Sequence, residues 1–111
     1  MTELVIPLQA NPNQRTSVLI GEQSVTVEIY TIEDGGMYAN AYIDSTLIIA
    51  DARCNAGIAI NQYNTPLVGF LTWISLNGNS PTWETIGTNC FLMWSDYSLE
   101  DKLYTKFEVA Q

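Results

Sequence analysis

The stretch that decides the fold spans residues 24–50 and reads SVTVEIYTIEDGGMYANAYIDSTLIIA. In Ser24–Tyr30 apolar and polar side chains alternate, a period of two that is typical of a half-buried β-strand. Met37–Ile43 alternates in the same way, and a third short apolar run follows it. Between these runs, Glu33–Gly36 and the dipeptide Asp44-Ser45 are residues that form tight hairpin connections. The stretch therefore predicts a three-stranded antiparallel meander.

The segments on both sides continue the β pattern. Further strands are predicted around Ile6 and at Ser17–Ile20, Gly57–Ile60, Gly69–Leu76, Asn89–Ser95 and Lys102–Val109. Gly69–Leu76 is apolar on both faces, so we expect it in the centre of a sheet. The segment 98–103 contains a serine that could cap at most one short helical turn. Together these signals predict an all-β chain that forms a single compact antiparallel sandwich or barrel of about eight short strands.

The length of the chain fits one folded unit. With 111 residues it is close to the commonest size of a protein domain. No linker, repeat or low-complexity tract divides the sequence. We therefore expect residues 1–111 to form one β domain.

A long segment without charge, Cys54–Trp83, separates the meander from the last predicted strands. It contains no acid, no base and no histidine, but several glycine, asparagine, threonine and aromatic residues. A surface segment of a globular protein normally carries charge, so an uncharged one is expected to be buried or covered by a partner. The whole chain is 14% charged, against about 25% in an average domain. This balance favours a subunit of an assembly over a free monomer.

The net charge of −8 restricts the possible partners. Affinity for nucleic acid depends on lysine and arginine neutralising phosphates, and anionic membranes attract proteins in the same way. With 12 acids and 4 bases the chain is expected to bind neither DNA, RNA nor a membrane surface. An acidic surface can instead let a DNA strand pass without binding it.

Two features of the sequence favour a protein that remains in the cytoplasm after synthesis. Met1-Thr2-Glu3 lacks the basic residues of a signal peptide, and no apolar run is long enough to cross a membrane. Cys54 and Cys90 could form one disulfide in principle, but two buried free thiols are the favoured interpretation.

Few residues of the chain are suited to catalysis. The chain has no histidine, so Cys54 lacks the base that would activate it even though Arg53 is its neighbour. Glu33, Asp34 and Asp44 fall in predicted turns, where such residues bond to the backbone rather than work as paired acids. The residues therefore argue against an enzyme and against a metal site.

The aromatic residues fall into a buried and an uncertain group. Trp73 and Trp94 lie in apolar strands and are expected in the core. Trp83 follows a proline in a loop, so it either packs back against the core or contacts a partner. The sequence does not decide between these two interpretations. Tyr38 and Tyr42 flank Asn40 on one strand face, which suggests an alternative function as a small carbohydrate- or ligand-binding module.

The order of several short motifs resembles the baseplate plug family of contractile-tailed bacteriophages. The motifs are Ile6-Pro7-Leu8, Asn13-Gln14, Gly21, Gly35-Gly36-Met37-Tyr38, Leu47–Ala50, Leu76-Asn77-Gly78, Pro81–Thr88 and Phe91–Trp94. The resemblance covers about residues 6–94, and Pro81–Thr88 is its most recognisable part. Residues 95–111 extend beyond it as a C-terminal extension.

The resemblance implies a structural virion protein without enzymatic activity or cofactor. Such a protein is expected in the central baseplate, where the tail tube meets the hub and spike, after assembly in the host cytoplasm. Its expected partners are other tail proteins, contacted by several symmetric copies. Contact is expected at loops and edges, and the candidate interface residues are Tyr38, Tyr63, Asn77, Gly78, Pro81 and Trp83.

Overall fold

The computed structural model describes residues 3–33, 36–61, 67 and 69–96 of the chain. Seven strands and one short 3-10 helix, Trp83–Thr85, lie in these ranges. The strands are β1 Glu3–Val5, β2 Gln14–Ile20, β3 Gln23–Thr31, β4 Met37–Ile43, β5 Thr46–Arg53, β6 Phe70–Ser75 and β7 Cys90–Ser95. The all-β class predicted from the sequence is confirmed. The helical turn expected near 98–103 and the strand expected at Lys102–Val109 lie outside the described residues.

Strands β2 to β5 form a four-stranded antiparallel sheet in sequence order. Val25, Val27 and Ile29 of β3 are buried, as the alternation predicts. Val27 pairs with Thr16 of β2 and with Ala41 of β4, so each strand lies beside its neighbour in the chain. The predicted meander is confirmed, and β2 extends it by one strand.

The β4–β5 hairpin contains two backbone features of note. Asp44 and Ser45 have φ angles of 49° and 77°, the left-handed pair that a two-residue hairpin turn requires. Further along, the register between the strands shifts, and Ala50 and Asp51 lie opposite Asn40. This β-bulge places Asp51 at a φ of 54°, which redirects its side chain over the outer face of the sheet.

The remaining strands form a three-stranded sheet in the order β1-β7-β6. The expectation that Gly69–Leu76 lies in the centre is wrong, because β7 occupies the centre and β6 an edge. The strand expected at Gly57–Ile60 is also absent: the backbone there makes only isolated bridges to Trp73 and Thr72. Still, Gly57 N–H donates to the Trp73 carbonyl over 2.7 Å. The irregular segment therefore covers the open edge of β6, which explains why an edge strand can be so apolar.

Asn61 connects the end of the irregular segment to the start of β6 through two side-chain hydrogen bonds. Its side-chain amide donates to the Gly69 carbonyl over 2.8 Å, and its side-chain oxygen accepts from Leu71 N–H over 2.8 Å. Asn61 is buried, so both bonds are shielded from water. The polar side chain replaces the strand partner that β6 lacks at this point.

The inner faces of the two sheets share one hydrophobic core, so the architecture is a sandwich. Core residues come from both sheets and include Ile6, Val27, Ala41, Leu71, Trp73 and Leu92. Trp73 is fully buried and Trp94 nearly so, as expected. Pro7 follows β1, a strand paired on one side only. Across the described ranges, no helix is long and apolar enough to span a membrane.

Candidate interaction surfaces

The connection from β6 to β7 begins with an exposed loop that carries no charge. All five residues from 76 to 80 are exposed, and Leu76 retains 67% of its accessible surface. The side-chain oxygen of Asn77 accepts from the Ser75 hydroxyl and from the Asn79 N–H, both over 3.0 Å. The loop is thus held in shape by one asparagine. The uncharged segment Cys54–Trp83 is therefore largely buried where it forms β6 and exposed in this loop.

The 3-10 helix that follows is fixed by two threonines. The Thr85 hydroxyl donates to the Thr82 carbonyl over 3.1 Å and lies 3.1 Å from the Thr82 hydroxyl. Trp83, the first residue of the helix, is half-buried and packs against the core. The two interpretations of Trp83 are therefore compatible: one part of the side chain packs against the core, and another part faces outward.

A cavity of about 130 Å³ opens beside this helix. Its wall includes Ser75 at the end of β6, Cys90 at the start of β7, and polar residues of the loop between them. The Cys90 sulfur lies 3.3 Å from the Thr85 hydroxyl, and the thiol donates to the Thr82 carbonyl over 3.7 Å. The back of the cavity is therefore an ordered hydrogen-bonded unit.

The outer face of the four-stranded sheet carries a different arrangement, a row of stacked side chains. Tyr30 and Tyr38 are cross-strand partners whose rings stack, with centroids 5.7 Å apart and planes inclined by 19°. On the other side of Tyr38, the Arg53 guanidinium lies 5.5 Å from its ring centroid. Tyr30 and Arg53 thus pack against the two sides of the Tyr38 ring, and the edge of the ring faces solvent.

The bulged residue Asp51 anchors this row. Its carboxylate accepts from the Tyr30 hydroxyl over 2.6 Å, and its N–H donates to the Asn40 side-chain oxygen over 2.8 Å. The hydrogen bond to Asp51, with smaller contributions from desolvation and from the carboxylate charge, raises the pKa of Tyr30 to about 12. The left-handed backbone of Asp51 is therefore held by contacts on both sides.

A second row on the same face centres on Glu28. Its carboxylate accepts from the Tyr42 hydroxyl over 2.8 Å and from the Asn40 amide over 3.3 Å. It also faces Arg15, whose guanidinium is 3.4 Å from Glu28 and 5.3 Å from the Tyr42 ring centroid. The hydrogen bond to Glu28 raises the pKa of Tyr42. Both arginines of the chain thus lie on this face beside acids and tyrosines.

Comparison with known families identifies the chain. Residues 3–98 match the family described as cyanophage baseplate Pam3 plug gp18. The chain belongs to this family. The match spans most of the sequence and includes both sheets of the sandwich. Membership indicates a structural protein of a phage baseplate, which interacts with other baseplate or tail proteins. No curated protein matches the chain.

The candidate residues of this plug-family protein lie in two separate parts of the fold. Tyr38 is on the outer face of the four-stranded sheet, and Asn77, Gly78, Pro81 and Trp83 lie in the connection from β6 to β7. Of the latter, Asn77 and Gly78 are exposed and Trp83 is half-buried, but Pro81 is buried. Pro81 therefore positions its neighbours rather than presenting its own surface. Tyr63 lies outside the described residues.

Sequence reasoning missed the residues that surround Tyr38. Tyr30 and Arg53 become neighbours of Tyr38 only through strand register, and Asp51 joins them only through the bulge. The alternation of the meander contained the signal for Tyr30, because it places Tyr30 and Tyr38 on the same outward face. Nothing in the sequence marked the bulge, since the predicted third strand ended at Ala50, directly before Asp51.

The two cysteines of this plug-family protein are free thiols buried in the core, as favoured from the sequence. Burial raises the pKa of the Cys54 thiol to about 12, although the neighbouring Trp73 indole partly offsets the rise. The thiol therefore remains protonated at neutral pH and is a poor nucleophile. In the described ranges, no group of three histidine, cysteine or acidic residues could hold a metal ion.

Proposed function

We propose that this protein is a plug of a contractile phage tail and packs where the tail tube meets the hub and spike. The observation that carries the proposal is the family match over residues 3–98. A small sandwich suits this role, because rigid sheets present the same surfaces in every symmetric copy. The protein acts by packing between neighbouring subunits, without enzymatic activity or cofactor. It consists of one β domain, and the residues after the family match, 99–111, form a C-terminal extension.

The distribution of charge supports a partner on the loop side of the molecule. Residues 76–80 are exposed but uncharged, and Leu76 is one of the most exposed apolar side chains described. The cores of protein interfaces are depleted in charge and enriched in aromatic residues. We therefore place the main contact at Asn77, Gly78 and the outward part of Trp83. Tyr63 is proposed as a further contact, and Tyr38 is not, because its ring is already stacked between Tyr30 and Arg53.

The acidic residues support a second part of the proposal. The described turns at Glu22 and Asp44 connect neighbouring strands of the meander and are exposed. With a net charge of −8, such a surface repels the phosphates of a passing DNA strand. We propose that this end of the sheet faces the path of the DNA, and that the protein itself binds neither nucleic acid nor membrane.

The experiment replaces Trp83 and measures incorporation into particles. Trp83→Ala is supplied to a phage that lacks the gene, and the protein content of purified tails is quantified. If Trp83 is an anchor, its loss should weaken assembly by roughly 2 kcal/mol or more. Glu84→Ala is the matched control, because Glu84 is the exposed neighbour in the same helix. If both variants were incorporated equally, Trp83 would not be part of the interface. If the unaltered protein were absent from tails, the proposed plug function would be wrong.

The outer sheet face does not favour the alternative of a carbohydrate-binding module. Sugar rings stack on open aromatic faces, whereas Tyr38 stands between Tyr30 and Arg53, and Arg15 lies over Tyr42. Asn40 is likewise engaged with Glu28 and Asp51. Binding of the isolated protein to a glycan array would nevertheless restore this alternative.

A further inference from the structure

The cavity beside the 3-10 helix has a rigid back wall. Thr82, Thr85 and Cys90 are bonded to one another there, and the Asn89 N–H donates to the Thr85 carbonyl over 2.9 Å. The volume of about 130 Å³ exceeds the roughly 10–15 Å³ needed for one water molecule. The space is thus large enough to receive a side chain, and its shape is set before anything enters.

The rim of the cavity carries polar groups that the described part of the chain does not use. The side-chain amides of Asn79 and Asn89 and the hydroxyl of Ser80 make no hydrogen bond to any described part of the chain. Each amide offers a donor and an acceptor, and the hydroxyl can act as either. An occupant with both donors and acceptors would satisfy all three.

The charge of the cavity selects among possible occupants. None of its lining residues is acidic or basic, although the chain carries 12 acids. Covering an ion at such a site would be unfavourable, because no opposite charge compensates for its lost hydration. An uncharged polar group loses much less hydration free energy, and hydrogen bonds to the amides can offset that loss.

We propose that this cavity receives an uncharged polar side chain, of the amide or hydroxyl type, from a neighbouring baseplate subunit. The proposal rests on the plug function above and specifies the chemistry of its contact. Trp83 and Leu76 supply apolar surface next to the cavity, and the Asn and Ser groups determine which partner segment fits. Protein interfaces commonly combine apolar residues that supply contact area with polar groups that determine which partner fits.

The test uses two variants of Asn89 in the full-length protein. Asn89→Leu removes the polar side chain at similar size, and Asn89→Asp introduces a negative charge at the same shape. Both leave the backbone bonds of residue 89 in place. Each variant is supplied to a phage that lacks the gene, and its amount in purified tails is measured in competition with the unaltered protein. The amounts of both variants are expected to fall by about fivefold or more, because Leu forms no hydrogen bond to the partner and covering the uncompensated Asp charge is unfavourable.

Two further variants separate a local effect from a failure to fold. Asn79→Leu alters an exposed residue of the same rim and should reproduce the loss. Glu84→Gln changes an exposed residue of the adjacent helix outside the cavity lining and should be incorporated as well as the unaltered protein. Near-ultraviolet circular dichroism of the purified proteins verifies that the core is intact.

The outcomes distinguish this proposal from the plug function. If the unaltered protein is present in tails and Asn79→Leu and Asn89→Leu match it, the cavity is not a contact although the plug function stands. If Asn89→Asp is incorporated better than the unaltered protein, the occupant is a cation and the proposal is wrong. Absence of the unaltered protein from tails would reject the plug function, and this proposal with it.

Discussion

The meander and the β6–β7 region fold by different means and expose different surfaces. In the meander, each strand pairs with its neighbour in the chain, and the outer face satisfies its own polar groups through the rows at Tyr38 and Glu28. In the β6–β7 region, β1 joins β7 from the other end of the chain, and the rim amides remain without partners in the described part of the chain.

This difference shows which part of the molecule can be completed by a partner. A face whose charges and hydroxyls are already paired gains little from a new contact, because existing bonds must first be exchanged. The charge-free loop has rim amides without partners in the described part of the chain. These amides can form hydrogen bonds to another subunit without breaking bonds that the loop already makes. We therefore expect mutations in the meander to affect stability, and mutations in the exposed β6–β7 loop to affect assembly. The following predictions test this contrast.

The largest effect is expected for Gly69→Ala, next to the start of β6. A Cβ atom there would lie 2.6 Å from Trp94 Nε1 and would also overlap the Ser95 carbonyl, and the φ angle is +92°. The strain and overlap should lower the free energy of unfolding by roughly 3 kcal/mol or more, measured by urea denaturation. Gly78→Ala has a φ of +79° but open space around it, so a loss of only about 1 kcal/mol is expected. Equal losses would show that the packing at Gly69 is not tight.

The next effect concerns the asparagine that fastens the chain to β6. Asn61→Ala leaves the Gly69 carbonyl and the buried Leu71 N–H without their partner. We expect the free energy of unfolding to fall by about 2 kcal/mol. Asn77→Ala also removes two hydrogen bonds, but on the exposed loop, and should cost about 0.5 kcal/mol or less. A larger loss for Asn77 would contradict the assignment of that loop to contact rather than stability.

The third prediction is a dependence of stability on alkaline pH. The pKa of Cys54 is about 12 in the folded state against 9.0 for an ordinary thiol, so above pH 9 the unfolded chain loses a proton that the folded chain keeps. Between pH 9 and 12, Cys54 should therefore reduce the free energy of unfolding by about 1.4 kcal/mol per pH unit. Cys54→Ala removes this contribution, so the two pH profiles should diverge above pH 9. Parallel profiles would show that the thiol is accessible to water.

The smallest effect is expected on the outer face of the meander. Asp51→Asn retains a residue that tolerates the left-handed backbone but removes the carboxylate that raises the pKa of Tyr30. The pKa of Tyr30 should return toward 10, followed by ultraviolet absorbance of the tyrosinate, and incorporation into tails should be unchanged. If Asp51→Asn prevented incorporation instead, the outer face would be a contact surface, and the contrast between the regions would fail.

The sequence predicted the regular parts of the fold and not the irregular ones. The alternation in Ser24–Tyr30 fixes which side chains face the core, so the meander follows from local information. The position of β6 does not, because an edge strand covered by the irregular segment 56–60 has the same apolar pattern as a central strand. The loop at Asn77 consists of residue types that favour turns, Asn77-Gly78-Asn79. The cavity beside it depends on how the loop returns over Cys90, which no local pattern specifies.

The most direct test of the account is a cryo-electron microscopy map of the intact tail that resolves the side chains of this protein. We expect another subunit to cover the charge-free loop of this protein rather than the outer face of its meander. We predict a neighbouring chain against residues 76–80 and Trp83, with a polar side chain inserted beside Asn89. A map in which this loop faces solvent while the row of Tyr30, Tyr38 and Arg53 is covered would contradict the account.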